Sequence, residues 1–140
     1  MNRRLFLATA LALTLAACKK KPEQERCKRC GMKIDRDSPW LVELVDQSGA
    51  VIAFDTPRCA LNAWRKGQVD ARSMRVHEYY DQAMRDAAEV RFVVGGDVNG
   101  PMGPDFVPVD PSRVTKFIQD HGAERAFRLE EITPQVLDQF

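Results

Sequence analysis

Residues 51–58 read Val51-Ile52-Ala53-Phe54-Asp55-Thr56-Pro57-Arg58, a short β-rich run that passes directly into a helix start. Thr at the N-cap followed by Pro at the first helical position predicts a helix that ends near Gly67. Upstream, Trp40–Val45 is a second β-rich run, and the polar turn between the two runs predicts a hairpin. After the helix, Met74–Tyr80 is predicted to form a third strand. The predicted order is therefore ββαβ.

A weak internal similarity at an offset of about 55 residues indicates that this order occurs twice. It aligns Asp55, Arg58 and Gly67 with Asp110, Arg113 and Gly122. In the second half we predict strands and a helix at Arg91–Val94, Phe106–Val109, Pro111–Asp120 and Ala126–Ile132, after a linking helix at Asp81–Glu89. The predicted fold class is α+β, with two similar ββαβ halves, roughly residues 27–80 and 90–140, packed together as one domain. A chance similarity between two unrelated αβ units is the alternative.

Length and charge exclude several classes of protein. The chain has 140 residues with a formal net charge of +1. This size allows one small domain and excludes a large enzyme with separate cofactor and substrate domains. The balanced charge lacks the basic footprint of a nucleic-acid-binding protein.

The N-terminus is typical of a bacterial export signal over residues 1–17. Arg3 and Arg4 precede an apolar stretch of about 13 residues, too short to cross a bilayer, which takes about 20. Leu15-Ala16-Ala17-Cys18 is similar to a lipobox, so we expect lipidated Cys18 to anchor a tether over residues 18–26 in the membrane. Lys19 after the anchor favours a periplasm-facing lipoprotein of the outer membrane. An ordinary secretory signal with a free Cys18 is the alternative.

The motif Cys30-Gly31-Met32 is the first candidate metal site. In an extended chain, side chains at i and i+2 point to the same side, and this thiolate and thioether can then converge on one ion. Two soft sulfur ligands favour Cu(I) over zinc. Core packing is the alternative for Met32, because Met is usually core filling.

Four further residues carry sulfur or imidazole chemistry. Met102 lies in a Gly- and Pro-rich loop and is a candidate third ligand, with a cap over the sheet edge as the alternative. Cys59 starts the first helix, where a thiolate is favoured, but its counterpart Val114 is a core position and favours a buried inert thiol. For His121 and His77 we expect structural roles.

These motifs together resemble the NosL family, the lipoprotein accessory factors of nitrous oxide reductase. The resemblance rests on the lipobox, Cys27-x-x-Cys30-Gly31-Met32, Phe54-Asp55, Pro101-Met102-Gly103 and Phe117…His121-Gly122. It implies a non-enzymatic Cu(I) chaperone with a fold shared with organomercurial lyase, which delivers copper to a periplasmic client, nitrous oxide reductase or its assembly machinery. The implied metal ligands are Cys30 and Met32, then Met102, with Cys27 as a further candidate. This chain departs from the family in adding Cys59.

Two other functions stay open. Cys27-x-x-Cys30 is the spacing of thiol–disulfide redox proteins, although such a motif normally opens a helix. Alternatively, Cys27, Cys30 and Cys59 with one His form the ligand set of a structural zinc site.

Overall fold

The computed structural model describes residues 21–140. The expected signal peptide, the lipidation site at Cys18 and the start of the tether lie outside the described residues. Within residues 21–140, no helix combines the length and apolar character needed to cross a membrane.

The first sheet has four antiparallel strands in the order β2-β1-β3-β4. Its elements are β1 (Val42–Asp46), β2 (Val51–Phe54), α1 (Pro57–Arg65), β3 (Ala71–His77) and β4 (Met84–Asp86). Val42 pairs with Phe54 on one side and with Val76 on the other, and all three side chains are fully buried. These strands carry their apolar residues on one face because side chains alternate along a strand.

The second sheet repeats this connectivity with three strands in the order β8-β5-β9. The elements of this half are β5 (Arg91–Val94), β6 (Asn99–Gly100), β7 (Gly103–Pro104), β8 (Val107–Val109), α2 (Val114–His121), β9 (Arg125–Phe127) and α3 (Pro134–Gln139). In both sheets the first strand of the half is central and pairs with the second and third. The α+β fold class is confirmed, and the shared connectivity agrees with two ββαβ halves.

A common apolar core joins the two sheets. Phe54 and Leu44 from the first sheet pack in one buried cluster with Phe92, Phe106 and Phe127 from the second half. Each of the two sheets therefore supplies the apolar surface that the other needs for burial, which a half of this size could not provide alone.

Two predicted elements are wrong and one is displaced. The strand predicted at Met74–Tyr80 is β3, Ala71–His77, because the Glu78 N–H donates to the Ala83 carbonyl at 2.9 Å in the turn that follows. Asp81–Glu89 is not a linking helix: it contains β4, which extends the first sheet beside β3, and a 3₁₀ helix at Ala87–Glu89. The final strand ends at Phe127, and the chain continues through a 3₁₀ helix at Leu129–Glu131 into α3. Thr133 caps α3 ahead of Pro134, the same Thr-Pro signal that starts α1.

Candidate metal centre

Residues 26–33 form a closed turn, which we call the Cys loop. Arg26 and Lys33 pair as an isolated antiparallel bridge. Inside it, the Cys27 N–H donates to the Met32 carbonyl at 2.8 Å and the Gly31 N–H donates to the Cys27 carbonyl at 2.9 Å. Gly31 has φ +77°, a left-handed conformation that glycine adopts without strain. Cys30-Gly31-Met32 is therefore a turn, and the same-side geometry of an extended chain does not apply to it.

Strand β2 and helix α1 deliver the residues that face the Cys loop. Phe54 at the end of β2 is anchored in the core, which fixes Asp55 beside it at 7% exposure. The Thr56 side chain then caps α1 by accepting from the Cys59 N–H at 3.3 Å. Cys59 lies on the buried side of α1, as its alignment with a core position predicts.

Three thiols and one carboxylate come together between these elements. The Sγ atoms of Cys27, Cys30 and Cys59 and a carboxylate oxygen of Asp55 all lie within 4.8 Å of one another. We call the three sulfurs the thiol cluster. All three cysteines are free. The Cys30 thiol donates to Oδ2 of Asp55 at 3.1 Å, while Oδ1 of Asp55 is buried without a hydrogen-bond partner.

Exposure increases across this site from the inside outward. Cys27 is 2% exposed and Cys59 is 8% exposed, whereas Cys30 is half-buried and Met32 is 38% exposed. Met32 and Asp55 both line a surface cavity of about 180 Å³, together with Lys33, Asp35, Ser38 and Pro101. Cys30 is therefore intermediate in exposure between the two buried thiols and the exposed Met32 side chain.

Met102 lies at the turn of a small hairpin formed by β6 and β7, which we call the Met loop (residues 99–104). The sequence predicted neither helix nor strand here, and the hairpin has two residues on each side. The Met102 side chain is 56% exposed, and its neighbour Pro101 lines the same cavity as Met32. The Met102 thioether is therefore open to solvent, on a loop whose Pro101 lines the cavity.

Comparison with known proteins places the chain in a family. The family model for NosL matches residues 19–137. The chain belongs to the NosL family. The match spans the Cys loop, β2, α1 and the Met loop, so every element of the candidate metal centre is part of the NosL domain. No curated protein matches the chain.

The NosL fold is also seen in a solved structure. The crystal structure of the copper chaperone NosL from Shewanella denitrificans superposes with a TM-score of 0.67 at 21% sequence identity. The match covers 91% of this chain and 97% of the other. At this identity the likeness establishes a shared fold.

Burial favours the protonated form of two thiols of this NosL domain. The pKa of Cys30 is raised to about 11, mainly by burial, against a hydrogen bond from the Met32 backbone that lowers it and with smaller contributions from Asp55 and Cys27 that raise it. Burial, with the nearby Cys27 and Asp55, also raises the pKa of Cys59. The alternative of a helix-start thiolate at Cys59 is therefore wrong, since loss of solvation outweighs the helix terminus. A metal ion that binds here has to displace protons.

The two histidines lie outside the site. His121 Nδ1 is 2.7 Å from Oδ1 of Asp97, and its ring packs against Phe117. His77 Nδ1 is 2.9 Å from the Gln82 carbonyl. Both have the structural contacts expected of them, and neither joins the three cysteines in the ligand set that the zinc alternative requires.

Asp55 is the member of the site that sequence reasoning did not select as a ligand candidate. The sequence feature that could have identified it is its position, directly after a buried strand and directly before the N-cap residue of α1. Cys59 was identified but assigned to the core. It is buried as expected, yet its Sγ is one of the three in the thiol cluster.

Proposed function

We propose that the protein is a Cu(I) carrier that binds its ion at Cys30 and Met32 and passes it to a copper-accepting partner. The observation that carries this proposal is that the half-buried Cys30 thiol donates a hydrogen bond to Asp55, which lines one surface cavity together with the exposed Met32 side chain. Met102 at the cavity rim and Cys27 behind Cys30 complete the proposed ligand set. Thiolate and thioether donors select a soft ion such as Cu(I).

Exposure of the site suits transfer. An incoming ligand from a partner can reach an ion bound by Cys30 and Met32 before the resident ligands leave, because Met32 is accessible and Cys30 is hydrogen-bonded to Asp55, which lines the same cavity as Met32. Ligand exchange of this kind needs no catalytic step. The NosL family membership and the copper chaperone from Shewanella denitrificans with the same fold support copper as the cargo.

We also propose that the carrier is anchored to a membrane. Lipidated Cys18 would anchor it at the periplasmic face of the outer membrane, with removal of residues 1–17. The client would be a copper metalloenzyme or its assembly machinery, and nitrous oxide reductase is the client that the resemblance favours. Mass spectrometry of the mature protein tests the anchor, since a diacylated Cys18 peptide is expected and an unmodified one contradicts it.

A Cu(I) competition titration tests the site. The reduced protein is titrated without oxygen against bathocuproine disulfonate. We expect Cys30→Ser to lower the Cu(I) affinity at least about 100-fold and Met32→Leu to lower it about tenfold. Met84→Leu is the matched control, because Met84 is 37% exposed on β4, away from the cavity. Unchanged binding by both Cys30→Ser and Met32→Leu would reject the assigned site.

A structural zinc ion is the second candidate, and one observation favours it. Three Cys sulfurs and an Asp oxygen within 4.8 Å of one another are a four-ligand set that zinc also accepts. Metal analysis after aerobic purification separates the two functions. Zinc at about one equivalent per chain supports the structural zinc site, because a Cu(I) carrier is not expected to retain zinc. The thiol–disulfide alternative loses support, since Cys27-x-x-Cys30 lies in a turn and opens no helix.

A further inference from the structure

The donors around Cys30 are too many for one Cu(I) ion. The thiol cluster supplies three sulfurs, and the exposed Met32 and Met102 of the proposed ligand set supply two more. Closed-shell d¹⁰ ions such as zinc take at most about four ligands in protein sites, and Cu(I) has the same electron configuration. One ion held by the proposed ligand set would leave the Cys59 thiol of the cluster without a role.

The inner three sulfurs fit an ion of their own. With metal–thiolate bonds of about 2.3 Å, three sulfurs around one ion lie about 4 Å apart. The Sγ atoms already lie within 4.8 Å of one another, so closure around an ion needs shifts of less than about 1 Å. Small rotations of buried Cys side chains are enough for shifts of this size.

A second observation also points to a cation at the inner position. The Asp55 side chain is nine-tenths buried, and its Oδ1 has no hydrogen-bond partner. An unpaired buried carboxylate oxygen costs free energy that a neighbouring positive charge offsets. No Lys or Arg side chain donates to Asp55 among the hydrogen bonds of the described residues, so the position beside this oxygen suits a bound cation.

We propose that the protein holds a second Cu(I) ion, bound by Cys27, Cys30 and Cys59 behind the exposed transfer position, with the Cys30 thiolate bridging both ions. This proposal rests on the proposed function only in taking the exposed position as the site of the first, transferable ion. A thiolate sulfur keeps more than one lone pair, so Cys30 can bond both ions. Each ion displaces thiol protons to solvent, and no change of oxidation state is involved. Cys59 is then a metal ligand that this chain adds to the family pattern.

Stoichiometry tests the proposal. Reduced protein titrated with Cu(I) against bathocuproine disulfonate is expected to bind about two equivalents, and Cys59→Ala about one. Cys59→Val is the second variant, since Val occupies the aligned position in α2 and fills the space with an apolar side chain. Circular dichroism selects the variant that folds. Met84→Leu, the exposed control, is expected to keep both equivalents.

The outcomes separate this proposal from the proposed function. One equivalent in the wild type, with unchanged binding in the folded Cys59 variants, overturns the second ion and leaves the outer site standing. If Cys30→Ser binds like the wild type, the proposed function itself fails. Copper X-ray absorption adds a second readout: a short Cu–Cu distance at two equivalents in the wild type, lost in Cys59→Ala, supports the shared thiolate. One tightly held zinc ion in the purified wild type overturns the inner Cu(I) position.

Discussion

The Cys30 thiol donates a hydrogen bond to Oδ2 of Asp55 over 3.1 Å, across 25 residues of sequence. This contact joins the Cys loop to the end of β2. It holds Cys30 against the buried side of the site, and together with burial it keeps the thiol neutral until a metal ion arrives.

Weakening the hydrogen bond from the Cys30 thiol to Asp55 is expected to make Cys30 more reactive. Burial raises the pKa of Cys30 to about 11, and the hydrogen bond to Asp55 contributes to the rise. Asp55→Asn should therefore lower this pKa, increase the thiolate fraction and speed alkylation at pH 8 several-fold. Iodoacetamide labelling, followed on the Cys30 peptide by mass spectrometry, measures the rate. Asp35→Asn, an exposed carboxylate on the same cavity, is the control and should leave the rate unchanged; an equal rate in Asp55→Asn would contradict the role of the contact.

Backbone strain introduced by a substitution at Gly31 is expected to weaken metal binding as well as to lower stability. Gly31 and Gly67 both have φ +77° and nothing within 4 Å of an added Cβ. Ala at either position should lower the free energy of unfolding by about 1–2 kcal/mol, the cost of a left-handed non-glycine residue. Only Gly31→Ala should also weaken Cu(I) binding, because it alone lies in the Cys loop. Urea unfolding and the Cu(I) titration measure the two effects, and equal copper affinities in the two variants would argue against a role for the loop conformation.

Acid is expected to stabilise the fold through Asp105. Burial raises the pKa of this carboxyl to about 6, against hydrogen bonds to its Oδ1 from the backbone N–H groups of Arg58 and Phe106. The folded protein thus holds the proton more tightly than the unfolded chain, whose Asp pKa is about 4. The stabilising contribution is complete below about pH 4 and is lost as the pH rises through about 6.

The measurement compares the wild type with Asp105→Asn, which cannot titrate. As the pH falls from 7 to 4, the wild type should gain about 2–3 kcal/mol in free energy of unfolding relative to the variant. Urea unfolding at several pH values follows the difference. Asp120→Asn, at an exposed position on α2, should track the wild type; parallel curves for wild type and Asp105→Asn would refute the assignment.

Glu78 is expected to be the polar residue on which the junction of the two halves depends most. It is fully buried, and its carboxylate accepts from the N–H groups of Tyr80 and Asp81 at 2.9 Å and from that of Asp110, beyond β8, at 3.0 Å. Glu78→Ala leaves three N–H groups without this acceptor and should cost about 3 kcal/mol or more. Glu78→Gln keeps one acceptor oxygen and should cost less. Thermal or urea unfolding checks both, with Glu89→Ala as the exposed control; a loss below about 0.5 kcal/mol in Glu78→Ala would be the contrary result.

Local patterns predicted most of the regular structure. The Thr56-Pro57 helix start, the two strands ahead of it and the first two strands and the helix of the second half lie close to where the sequence placed them, because caps, turns and alternation act over a few residues. The errors in secondary structure are also informative. The segment 81–89 has no strong period of its own, and it forms β4 because β3 offers a free edge for pairing.

The sequence by itself determined the α+β class, the soft sulfur character of the site and the resemblance to the NosL family, since these depend on residue types and their spacing. Only the tertiary structure decided which donors meet. Cys59 and Asp55 reach Cys27 and Cys30 because the packing of β2 and α1 on the core brings positions more than 20 residues apart to within 4.8 Å. The turn at Gly31, set by closure of the Cys loop, then directs Met32 outward to the cavity.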